Sequence, residues 1–163
     1  MEIDWGTAIV GVVSLLIFIV PLALINYNRK KKETQMLQSL NTWASQQKCG
    51  ITHHELCGDF ALGIDQNKKV VFFIKQKKDE TIQQLINLES IHSCQAAIKS
   101  QSHKHEGGNY TTTERIDLCF VSKEKNKSET NLELYNRQTN SQLSGELQFV
   151  ENWAKQINAL IRN

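Results

Sequence analysis

Phe60–Ile74, FALGIDQNKKVVFFI, reads as two strands and the turn between them. Phe60, Leu62 and Ile64 alternate with Ala61 and Gly63, the period of a half-buried strand. Asp65-Gln-Asn-Lys68 has turn composition, and beyond it Val70, Phe72 and Ile74 share one face while Val71 and Phe73 share the other. A strand apolar on both faces must be central in a sheet or covered on both sides. This hairpin therefore predicts a β-rich domain in which its second strand is either central or covered on both sides.

Toward the C-terminus the period of two continues. Leu88–Ile98 reads as a further strand. Ile116, Leu118 and Phe120 face away from Arg115, Asp117 and Cys119, and Leu132 with Leu134 marks a shorter strand. Ser100–Thr112, with Gly107-Gly108 near its centre and no apolar period, is expected to be a long hairpin loop. The chain then changes period. Leu147, Val150, Ala154, Ile157 and Ile161 recur at helical spacing beside Trp153 and Leu160, with Ser144 as the expected N-cap and Glu146 in the first turn. Six or seven mostly antiparallel strands and one amphipathic helix bury both patterns only if the helix lies across the sheet or plugs an open barrel end.

Toward the N-terminus, Met36, Leu37, Leu40, Trp43 and Ala44 predict an amphipathic helix closed at Gly50, its apolar face lying on a membrane, on another helix or on the domain behind it. Ahead of it, Thr7–Ile25 (TAIVGVVSLLIFIVPLALI) is a run of nineteen uncharged, mostly apolar residues. At about 1.5 Å per residue such a run spans a hydrocarbon core of roughly 30 Å. Trp5 and Tyr27 bracket it at headgroup level, Pro21 falls near its end, and Arg29, Lys30, Lys31 and Lys32 follow at once. Basic residues stay cytoplasmic, so the expected topology is single-pass in the cell's inner (plasma) membrane, with the N-terminus outside and the C-terminal domain in the cytoplasm. A secretory signal carries its charges ahead of the apolar stretch, the reverse of this order. The expected organisation is a membrane anchor over 1–28, a juxtamembrane helix over 29–49 and a β domain over 50–163.

All nineteen Lys and Arg lie from Arg29 onward, against fifteen of the seventeen acids, a formal +4. That mild excess suits an anionic inner leaflet and is too scattered to argue for nucleic acid. His53, His54 and Cys57, His92 and Cys94, and His103 and His105 fit no zinc spacing, and no metal or other cofactor is expected. Phosphate-loop, dinucleotide and nucleophile-elbow motifs are absent from the sequence, so a catalyst is not expected.

The stretch ALGIDQNKKVVFFI, the strand around LESIHSCQAAI, the later hairpin ERIDLCFVS and TNLELYN, and the final helix with Trp153 resemble the bacterial pleckstrin-homology-like families. The likeness covers roughly residues 50–162. It implies an α+β chain in which a transmembrane helix precedes a pleckstrin-like antiparallel barrel or sandwich closed by a C-terminal helix. It also implies a scaffold that binds a protein partner or lipid headgroups. In the inositol-phosphate-binding versions basic residues surround the first hairpin, and Lys68, Lys69, Lys75, Lys77 and Lys78 are the corresponding candidates here. Lysines beside a strand also serve as a solvated edge that discourages aggregation. The alternatives are an accessory subunit of a larger membrane complex and, further off, a His/Cys metal or redox sensor.

Overall fold

The computed structural model describes residues 5–77, 80–105, 108–124, 128–140 and 142–162, leaving out the side chains of 5–13, 16, 22, 23, 25, 103–105 and 108–110. The element order is α1 (Trp5–Gln46), β1 (His53–Cys57), β2 (Phe60–Asp65), β3 (Val70–Gln76), β4 (Thr81–Asn87), a 3-10 turn (Leu88–Ser90), β5 (Ile91–His105), β6 (Gly108–Ser122), β7 (Thr130–Asn136) and α2 (Glu146–Arg162). The chain divides into two compact units, Met1–Ser39 and Leu40–Asn163.

In the second unit every strand pairing is antiparallel. One sheet has the order β1-β2-β3-β4 and the other β5-β6-β7. Their inner faces and one face of α2 form a single core: Phe60, Leu62, Ile64, Val71 and Phe73 from the first sheet; Ile116, Leu118, Phe120, Leu132 and Leu134 from the second; Phe149, Val150, Trp153 and Ile157 from the helix. The helix lies on the sheets as its stripe requires. Phe149 stands at the core in place of the expected Leu147, which is 37% exposed.

The second apolar face of β3 is covered by the end of α1. Trp43 meets Phe72 edge-on at 5.2 Å between ring centroids, and Leu40 and Ala44 are buried. Gly63 on the neighbouring strand leaves room for this approach, since a Cβ there would stand 3.0 Å from both Leu40 Cδ2 and Ile51 Cδ1. Of the three fates open to this apolar stripe, the segment from Leu40 to Ala44 packs on its own domain. It does so as the last turns of one continuous helix.

Several local features differ from the sequence expectation. The C-terminus of α1 is set by Lys48, at φ 57°, with Cys49 N–H donating to Ala44 O and Lys48 N–H to Ser45 O, both 2.9 Å. That pair of bonds is the left-handed helix stop usually made by glycine. Gly50, the expected terminator, instead donates its N–H to Asp65 Oδ2 at 2.8 Å, while Oδ1 accepts from Asn67 and Lys68 N–H at 3.0 Å each. Burial raises the Asp65 pKa, but these three bonds and the Lys68 charge outweigh it and hold the carboxyl below its ordinary value. At α2 the first intrahelical acceptor is Gly145 O, bonded to Phe149 N–H at 3.0 Å, so the cap falls one residue after Ser144. Gly145 has φ 112°, and the buried Glu146 carboxylate accepts the Ser144 N–H.

Ser100–Thr112 is largely strand. β5 and β6 stay paired out to His105↔Gly108, beyond the last β6–β7 pair at Arg115↔Asn136. The predicted strand over Leu88–Ile98 resolves into the 3-10 turn and the first half of β5, and β1 and β4 are strands the sequence did not declare.

Candidate functional site

Two features bear on function: the exposed stretch of α1 and the distribution of charge over the β domain. On α1, Leu15, Ile17, Phe18, Ile19, Val20 and Leu24 are each between 47% and 72% exposed, and Tyr27 is 67% exposed. Pro21 lies inside this helix. Arg29, Lys30, Lys31 and Lys32 are all exposed, and Arg29 Nε reaches Glu33 Oε1 at 3.0 Å one turn on. The Trp5 side chain, like those of 7–13, 16, 22, 23 and 25 within Thr7–Ile25, lies outside the described residues. Among the described residues no helix is long and apolar enough to cross a membrane.

The five candidate lysines do not form one patch. Lys68 and Lys69 sit in the β2–β3 turn, where the Lys68 ammonium donates to Lys48 O and Lys69 adopts φ 53°. Lys75 and Lys77 lie at the other end of β3, roughly 20 Å away at the rise of an extended strand. Lys78 lies outside the described residues.

Lys75 is not a surface residue, which corrects its assignment as a headgroup or partner contact. It is 1% exposed, because it shares the inward face of β3 with Val71 and Phe73. Its Nζ donates to Glu133 O at 3.2 Å and Leu134 O at 3.4 Å, and stands 3.5 Å from Glu133 Oε1. Buried ammonium groups persist when such partners replace water.

Glu133 extends this pairing into a network. Its Oε2 is 3.4 Å from Arg115 Nη1 and accepts from Asn136 Nδ2 at 3.2 Å. Arg115 Nε in turn donates to Asp117 Oδ2 at 2.6 Å. The hydrogen bond to Asp117 raises the Arg115 pKa further, against some desolvation. Asp117 is 5% exposed, so on the face opposite Ile116, Leu118 and Phe120 it is a buried ion-pair partner.

Lys77 lines a cleft of about 550 Å³ with Asp59, Lys75, Gln76, Glu80, Gln138, Thr139 and Asn140. Its walls come from the β1–β2 turn, the ends of β3 and β4, and the segment after β7. Asp59 Oδ1 is buried there without a hydrogen-bond partner. The lining residues are polar or charged, of both signs, and their aliphatic parts make up most of the cleft surface.

His53 lies over the Trp153 ring at 5.3 Å, and Trp153 Nε1–H donates to Glu55 Oε2 at 2.8 Å. Among the described residues no three His, Cys, Asp or Glu side chains converge as metal ligands. His103 and His105 have side chains outside the described residues. Cys94 is buried, and desolvation, with the nearby Cys119, pushes its thiol up to about 12. Cys119 is also raised, first by burial and then by Asp117.

No family model matches this chain, nor does any curated protein or solved structure.

Asp59, Arg115, Asp117 and Glu133 were not legible as a group, because strand alternation fixes the face of a residue and not its neighbours across the sheet. One signal was available for Lys75: it falls in register with Val71 and Phe73.

Proposed function

We propose that this chain is a single-pass, membrane-anchored, non-catalytic binding module whose β domain lies at the cytoplasmic face and engages a protein partner. The observation that carries the anchor is the set of bare apolar side chains at Leu15, Ile17, Phe18, Ile19, Val20 and Leu24, followed directly by Arg29–Lys32. In water, so much exposed apolar surface is unfavourable by about 25 cal/mol per Å². In a bilayer it is the surface required, and the basic cluster sets the orientation.

Two antiparallel sheets of four and three strands, with a C-terminal helix across them, support a pleckstrin-homology-like scaffold for the domain. Such a body offers edges and clefts for recognition. Division of the described lysines between opposite ends of β3, with Lys75 buried, favours a protein partner over anionic headgroups, whose phosphates call for converging cations. Binding here needs little intrinsic lipid affinity, because a tether supplies the residence.

The test compares the full-length chain with a chain lacking residues 1–28 as baits on detergent-solubilised native membranes, alongside flotation with vesicles containing an anionic lipid. The expected result is a common protein partner for both baits and no flotation of the shortened chain. Flotation of the shortened chain on anionic vesicles, with no protein recovered by either bait, would overturn the assignment.

A further inference from the structure

An edge strand presents a row of unpaired backbone groups, and proteins blunt such edges with charges, prolines, bulges or covering segments. The two sheets here have four edges: β1, β4, β5 and β7. β1 carries Glu55, whose carboxylate is held by Trp153, β5 carries Lys99 and Lys104, and β7 carries Glu133. The edge of β5 is also plugged at Cys94, whose N–H donates to Asn158 Oδ1 at 2.9 Å and whose carbonyl accepts from Asn158 Nδ2 at 2.6 Å. β4, Thr81-Ile-Gln-Gln-Leu-Ile-Asn87, has none of these devices: no charge, no proline, and a regular register to β3 from Gln76↔Thr81 to Val70↔Asn87.

Hydrogen-bond alternation says which groups face outward. Lys77 N–H donates to Glu80 O at 2.8 Å, which makes Lys75↔Ile82, Phe73↔Gln84 and Val71↔Ile86 the bonded pairs of the β3–β4 ladder. The backbone groups of Thr81, Gln83 and Leu85 therefore point away from β3, and they make no backbone hydrogen bond to any other described residue. Leu85 is 42% exposed. Gln84 Oε1 is buried without a hydrogen-bond partner.

We propose that β4 is a self-pairing edge, through which two copies of this chain join antiparallel about a two-fold axis at Gln84. The sequence of the strand selects this occupant. With Gln84 opposite Gln84 of the second copy, Ile82 faces Ile86, Gln83 faces Leu85 and Thr81 faces Asn87, so apolar meets apolar on the inner face and no charges oppose. The outward groups fall on the bonded positions of the new ladder, roughly eight hydrogen bonds in all. Gln84 pairs at a non-bonded position, where side chains approach most closely, and a rotated Gln84 amide gives the orphaned oxygen a donor. The two first sheets become one continuous sheet, an isologous interface of the commonest kind. Pairing does not depend on the membrane, but confining both copies to one bilayer raises their local concentration.

The test is disulfide trapping in the full-length chain, in native membranes and again in detergent. A non-bonded antiparallel pair places Cα atoms within the span a disulfide bridges, whereas neighbouring positions are diagonal to themselves across the axis. Gln84→Cys should give covalent dimer at least about tenfold above both the parent chain with its four native thiols and Gln83→Cys. Adding Leu85→Lys, a charge on an exposed position, should abolish that dimer while leaving the thermal unfolding of the chain intact. Equal trapping at Gln83 and Gln84, no dimer above the parent, or trapping only to a different polypeptide would each overturn the proposal. Sedimentation of the unmodified chain in detergent is independent of folding defects in variants: a dimer mass is expected, and a monomer throughout would contradict it.

Discussion

Trp153→Ala should unfold the β domain at a far lower temperature than the parent. Trp153 is 0% exposed, stacks on Phe149 at 5.8 Å and donates its indole N–H to Glu55 at 2.8 Å. A buried tryptophan removes roughly 150–250 Å² from water, which at about 25 cal/mol per Å² corresponds to roughly 4–6 kcal/mol. Alanine recovers a small part of this, and the core relaxes into the cavity incompletely, leaving a cost of about 3–5 kcal/mol. For a unit of roughly 120 residues that is a fall in melting temperature of about 12–20 °C. Trp153→Phe keeps most of the volume but leaves Glu55 without its donor, and should cost about 1–3 kcal/mol. The assay is thermal unfolding of the full-length protein in mild detergent, followed by near-ultraviolet circular dichroism. A Trp153→Ala midpoint unchanged from the parent would refute the placement of α2 against both sheets.

Gly63→Val should cost about 1–3 kcal/mol by driving Leu40 and Ile51 off the outer face of β2, measured as a lower denaturation midpoint. Asp65 has a depressed folded-state pKa, so its stabilisation is complete above the unfolded value of about 3.9 and fades as pH falls through the folded one. Asp65→Asn should therefore be less stable than the parent at pH 7, with the gap narrowing as pH falls below the ordinary carboxylate range; a gap of constant size would contradict the hydrogen bonding assigned to this carboxylate. In the native protein at pH 8, iodoacetamide should alkylate the partly exposed Cys49 and spare Cys94, whose thiol is buried with a pKa of about 12, as read by peptide mass spectrometry. Rapid modification of Cys94 would mean that β5 opens locally.

The sequence was most legible where burial is heaviest. Val70–Ile74 carries apolar residues on both faces, which called for a strand that is central or covered on both sides, and β3 is both: it lies between β2 and β4, with the core on one face and the end of α1 on the other. The same logic failed at the edges. β1 (HHELC) and β4 (TIQQLIN) cover little and so carry no clean alternation. The outer half of the β5–β6 hairpin extends past the last β6–β7 pair and its sequence has no apolar period, so its strands resemble a polar loop. Lys48 stops α1 in a conformation that composition assigns to glycine, because tertiary bonding at Gly50 and Asp65 fixes the chain just beyond it. Of the charged residues, Lys75 was the most misleading. Lysine in isolation signals a surface, and its burial is made tolerable by the Glu133 and Leu134 carbonyls and the Glu133 carboxylate, nearly sixty residues away in sequence.

The measurement closest to the central claim is alkaline carbonate extraction of membranes from cells making the intact chain. Peripheral proteins are released by this treatment and spanning ones are retained, so the chain should remain in the pellet, and a chain lacking residues 1–28 should appear in the wash. Recovery of the intact chain in the wash would contradict an anchor at Thr7–Ile25 and the membrane-tethered function built on it.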